Sequence, residues 1–168
     1  MKKILSIIFC LCFIFAFSAC SSDSDSKAKA SVKSSLEVRF EFNEENSVNG
    51  RICMNTTLPP ETLIDVDVFV GNKYHSTEQV KVQADMSMNY FLTESQVDLN
   101  GKEIEDGRYI LSFQLVDPRN QPSSVQSVIG KKGELLKGSD VYSENDIKTI
   151  KFTRPIEKKG DKFTMSDE

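Results

Sequence analysis

The run Ile64-Asp65-Val66-Asp67-Val68-Phe69-Val70 sets apolar and acidic side chains in strict alternation before closing on an apolar pair. Only a β-strand with one face in a core and the other in water places residues i, i+2 and i+4 on one side. Leu36-Glu37-Val38-Arg39-Phe40-Glu41-Phe42 repeats the pattern without a fault. A chain that opens its foldable part this way is committed to sheets rather than helices.

The remaining strands follow from the same period and from the residues that interrupt it. Arg51 to Thr56 reads as a second strand, ended by Pro59 and Pro60, which cannot donate to a ladder. Val80 and Val82 mark a fourth strand, and Met86, Met88, Tyr90 and Leu92 a fifth. Asn100-Gly101 and Asp106-Gly107 are reversal dipeptides. Tyr109 to Val116 is the central-strand candidate, stopped by Asp117-Pro118, and Thr149 to Thr153 is a last strand ahead of Pro155. Pro122-Ser123-Ser124-Val125-Gln126 fits a capping box, with Ser123 as N-cap, Gln126 reaching back, and Gly130 closing the short helix in a left-handed conformation. Gly133 and Gly138 then punctuate a loop that runs to Asp146.

About seven short strands at this spacing predict an all-β, antiparallel sandwich over residues 36–155, with one short helix before the last strand. Residues 156–168 are expected to be a disordered polar tail. The stretches LPPETLIDVDVFV, DGRYILSFQL and QPSSVQSVIGKKGELLKG resemble an uncharacterised family of bacterial lipoproteins with immunoglobulin-like domains. The resemblance covers most of residues 36–153 and implies a fold, not an activity. The buried Trp and paired cysteines of antibody domains have no counterpart here.

The N-terminus carries an address. Lys2 and Lys3 precede the apolar run Ile4 to Phe17, too short to cross a hydrocarbon core that needs about 20 residues. The pattern is that of an export signal. Phe17-Ser18-Ala19-Cys20 resembles the bacterial lipobox, with Phe17 where that family more often has Leu. The resemblance implies a signal peptide of residues 1–19, cleavage before Cys20 and diacylglycerol on its thiol. Two or more acyl chains hold firmly where one holds marginally. Ser21 to Ser34 is rich in serine, aspartate and lysine and has Val32 as its one branched apolar residue. Residues 20–35 are therefore expected to be a lipid-anchored flexible tether with a reach of about 20 Å. In a host with two membranes, Ser21 resembles an outer-membrane sorting signal. With one membrane, the outer face of the cell membrane is implied.

Composition narrows the partners. Loss of Lys2 and Lys3 takes the basic count from 21 to 19 against 25 acidic residues, so formal charge moves from −4 to −6. An acidic exported domain of 149 residues (168 minus 19) offers no case for nucleic acid. Cys10 and Cys12 leave with the signal and Cys20 carries lipid, so Cys53 cannot form an internal disulfide. It reads as a small buried hydrophobe, with a reactive nucleophile as the rarer alternative.

The search for chemistry is nearly empty. His75 is the only histidine and follows Tyr74 in a polar turn, as an exposed loop residue. One Cys and one His do not make a zinc site. Asp98 to Asp106 begins like a calcium loop, but its glycine arrives early, and an ordinary inter-strand loop explains it. Asp65 and Asp67 share one strand face, as a solvated face would also arrange them. Gly130-Lys131-Lys132-Gly133 lacks the spacing of a phosphate loop. The expectation is a non-enzymatic binding module on the cell envelope, without cofactor or metal, contacting another envelope protein. Its contact loop would include Arg119, Gln121, Lys131, Lys132 and Tyr142. The alternatives are an envelope hydrolase with a carboxylate or cysteine site and a small-ligand carrier.

Overall fold

Alternation becomes sheet as expected. The computed structural model describes residues 34–70, 73–92 and 105–166. Its strands are β1 (Leu36–Glu37), β2 (Phe40–Phe42), β3 (Arg51–Thr56), β4 (Leu63–Val70), β5 (Lys73–Lys81), β6 (Ser87–Phe91), β7 (Gly107–Leu115), β8 (Leu136–Lys137), β9 (Val141–Glu144), β10 (Ile147–Lys159) and β11 (Lys162–Met165). A 3₁₀ turn (Pro118–Asn120) and helix α1 (Ser123–Ile129) lie between β7 and β8. The fold is all-β. The signal, Cys20, nearly all of the expected tether and residues 98–104 of the calcium-like stretch lie outside the described residues.

Three sheets form. The largest runs β11-β10-β7-β4-β5, with β9 also paired to β10; β2-β3-β6 makes a smaller one, and β1 pairs with β8 in a parallel ribbon. Ile64, Val66 and Val68 of β4 are buried on the same side as Leu111, Phe113 and Leu115 of β7. Ile52, Met54, Met88 and Tyr90 of the smaller sheet join them in one apolar cluster. The rings of Phe40 and Phe152 meet at 4.2 Å between centroids, linking β2 to β10, and Phe113 stacks on Phe152 at 4.8 Å. Full burial of one such aliphatic or aromatic side chain contributes roughly 1.5–3 kcal/mol.

Four departures from the sequence reading have local causes. The strand expected over residues 36–42 divides at Val38–Arg39. Val38 N–H bonds Lys137 O at 2.7 Å, whereas Arg39 N–H bonds Thr57 Oγ1 at 3.0 Å, so one alternating run serves two sheets. His75 lies within β5 rather than in a turn. Val68 pairs with Ser76 and Phe69 with Tyr74, which leaves His75 as the extra residue of a bulge.

The third departure is the C-terminal end. Residues 156–166 are not a disordered tail: β10 passes straight through Pro155 and turns at Gly160-Asp161 into β11. Pro155 O accepts from Ser166 N–H at 3.1 Å, on the side of β10 away from β7. In an antiparallel ladder a residue's N–H and C=O face the same neighbour. The missing N–H of Pro155 therefore faces Ser166, just past the end of β11, so the proline costs one bond at the end of that ladder and none to β7. Phe163 of β11 is 1% exposed and fixes the hairpin to the core.

The fourth is the helix start. Pro122, not Ser123, is the N-cap of α1, with no side-chain capping bond. Gln126 instead donates Nε2 to Arg119 O at 3.0 Å and Gln121 O at 2.8 Å, fastening the helix to the preceding turn. Gly130 ends the helix at positive φ, but its ψ of 156° is extended rather than left-handed helical.

Candidate functional site

The segment after β7 builds one side of a groove. Asp117 caps the 3₁₀ turn: its Oδ1 accepts from Arg119 N–H at 2.9 Å and from Arg119 Nε at 3.0 Å, and its Oδ2 accepts from Nη2. These bonds from Arg119 hold the Asp117 carboxyl down to about 2. Pro118 is buried beneath the turn. The opposite side is the β9–β10 hairpin, whose two-residue turn Asn145-Asp146 has φ of 50° and 63°. Both central residues at positive φ mark a type I′ reversal. Leu115, Pro118 and Ile147 give the groove an apolar floor, with Asp117, Tyr142 and Glu144 at its sides; it encloses about 200 Å³.

The residues expected in a contact loop separate into three groups. Tyr142 stands on the groove, 38% exposed, and Arg119 reaches it through Asp117. Lys131 and Lys132 are exposed in the turn after α1 and do not line the groove. That turn is fixed by Lys132 N–H to Glu134 Oε2 at 2.9 Å and by Lys148 N–H to Lys132 O at 2.8 Å. Gln121 is not a contact residue. It is 4% exposed, and its amide is consumed by Leu63 and Val116 backbone groups.

The other singled-out side chains are settled by their surroundings. Asp65 accepts from Gln79 Nε2 at 3.0 Å and Asp67 accepts from Thr77 Oγ1, on the outer face of the large sheet. Asp106 Oδ1 takes Lys158 Nζ at 3.0 Å and Gly160 N–H at 2.8 Å, so it serves the C-terminal hairpin. Cys53 is buried, though on the outer face of β3 rather than in the main apolar cluster. Burial pushes its thiol pKa up, which disfavours the thiolate a nucleophile needs. Among the described residues, no three His, Cys, Asp or Glu side chains gather as a metal site would require.

Over Cys53 lies a second hollow, lined by Asn43, Asn46, Arg51, Asn55, Asp85 and Asn89. The Ser87 hydroxyl and N–H hold the Asp85 carboxyl below the usual range. Sequence reading missed both concavities. Residues 133–146 read as loop because the turn signal was Asn-Asp rather than Asn-Gly, and four asparagines from three separate segments show no pattern along the chain. No family model, curated protein or solved structure matches this chain.

Proposed function

We propose that the chain is an exported bacterial lipoprotein, cut before Cys20, acylated on that cysteine, and presenting its β domain as a non-enzymatic interaction module at the cell envelope. In this reading the domain is an immunoglobulin-like β-sandwich. Its support is the Phe40–Phe152 contact between the two sheets and the strand divided between sheets at Val38, a device by which sandwiches turn corners.

The observation that carries the anchored reading is the place where the sheets begin. The first strand starts at Leu36, directly after the serine-rich run that follows Cys20. That leaves 16 residues, Cys20 through Ser35, to carry the lipid and space it from the domain. The protein-facing contact is the groove at the β9–β10 hairpin. Tyr142 supplies an exposed aromatic beside an apolar floor, the residue type that dominates binding energy at interfaces. The enzyme alternatives weaken because Asp65 and Asp67 are bonded within the sheet and the Cys53 thiol is held protonated.

Cross-linking of intact cells expressing the tagged full-length chain tests this. One envelope protein should be captured by the wild type and lost with both Cys20→Ala and Tyr142→Ala. Capture that survives both substitutions, or an abundant acylated chain that captures nothing, overturns the reading.

A further inference from the structure

The outer face of β2-β3-β6 has a composition that strand formation does not explain. Asn is depleted in strands, yet Asn55 and Asn89 stand within β3 and β6, and Asn43 follows β2 directly. Register sets them side by side: Cys53 faces Asn89, Asn55 faces Ser87, and Asn43 N–H bonds Cys53 O at 2.9 Å. The side-chain amides of Asn55 and Asn89 make no hydrogen bond to the described residues. Toward the described residues, Arg51 donates its Nε to Asn46 O at 3.0 Å, and Asp85 Oδ1 accepts from the Ser87 N–H and hydroxyl. The hollow they surround encloses about 220 Å³.

An aromatic ring stands beside the hollow, across Arg51 from it. Phe91 pairs across the sheet with Arg51 and is 53% exposed, although its neighbour Tyr90 is buried in the core. It lies two residues along β6 from Asn89, a separation of roughly 7 Å on the same face.

We propose that this face binds an oligosaccharide, with one pyranose ring lying over Phe91 beside the Arg51 guanidinium and the hydroxyls of the neighbouring ring held by Asn89, Asn55 and Asp85 Oδ2. A sugar hydroxyl is both donor and acceptor, and a carboxamide offers both in return. One acid and one base of opposite sign leave the site near neutral, which suits hydroxyls and disfavours phosphate or a metal ion. The apolar face of a sugar ring needs a flat hydrocarbon surface, and Phe91 supplies it. The site is on the smaller sheet, away from the hairpin groove, and does not depend on the lipid anchor.

The test uses the full-length chain in a detergent without a sugar headgroup, applied to an array of neutral and acidic oligosaccharides. The strongest binder is then titrated calorimetrically. Selective retention is expected, with affinity reduced about tenfold or more by Asn89→Ala and by Phe91→Ala while the thermal midpoint holds. Asn55→Ala, at an exposed position, repeats the test where folding is not in question. Cys20→Ala should bind equally, so failure of the anchor and failure of this site read out separately. A folded wild type that retains no saccharide overturns the proposal, as does retention unchanged in all three variants.

Discussion

Gln121 and Leu63, 58 positions apart, exchange two hydrogen bonds: Leu63 N–H donates to Gln121 Oε1 at 2.9 Å, and Gln121 Nε2 donates to Leu63 O at 2.9 Å. The side-chain amide behaves as a strand's peptide group would, pairing with the first residue of β4, whose carbonyl also accepts from Val116 N–H at 3.2 Å. Its second amide hydrogen reaches Val116 O at 2.9 Å. Gln121→Ala leaves the part-buried Leu63 N–H without its acceptor and takes a donor from the Leu63 and Val116 carbonyls. The expected loss is about 2–3 kcal/mol in chemical denaturation. A loss below about 0.5 kcal/mol, typical of a surface site, would remove Gln121 from the framework.

The C-terminal hairpin is part of the core. Phe163→Ala is expected to cost about 3–5 kcal/mol, because the cavity it leaves is lined by buried neighbours. A frayed tail would show no measurable change in the same denaturation curve.

Two glycines at positive φ should respond unequally to alanine. At Gly133 a Cβ would fall 2.2 Å from the Lys148 carbonyl oxygen, whereas at Gly160 nothing lies within 4 Å. Gly160→Ala should therefore cost only the left-handed strain, about 1–2 kcal/mol. Gly133→Ala must also displace backbone and should cost more. Equal midpoints for the two variants would contradict the packing at β10.

Asp117 should titrate near 2 by NMR and move back toward the ordinary carboxylate range in Arg119→Ala. A folded pKa below the unfolded one stabilises above the unfolded value. This contribution is present at neutral pH, declines as pH drops below about 4, and is gone below about 2. A midpoint unchanged by Arg119→Ala would show that the guanidinium is not the cause.

How much of this was legible depended on how local the cause was. β3, β4 and β7 could be read closely because period two is written in consecutive residues, and Val66, Leu111 and Phe113 are buried where that period put them. Pro155 misled because whether a proline interrupts a ladder depends on which neighbour its N–H faces, and β11 lies beyond it in the chain. Leu36 to Phe42 reads as one strand, yet its partners, Lys137 and Thr57, sit in different elements. Gln121 was taken for a surface contact because its partner is 58 residues away. Of the groove's lining, Tyr142 alone was anticipated, with Arg119 behind Asp117. The hairpin that brings Tyr142 to Pro118 turns on Asn145-Asp146, a weaker signal than Asn-Gly.

The lipid anchor is tested most directly by the intact mass of the wild-type chain extracted from membranes. The expected species begins at Cys20 and exceeds its polypeptide mass by at least a diacylglycerol, leaving Cys53 as the one thiol, titratable only after denaturation. A chain that begins elsewhere, or one with two free thiols and no added lipid, would contradict it.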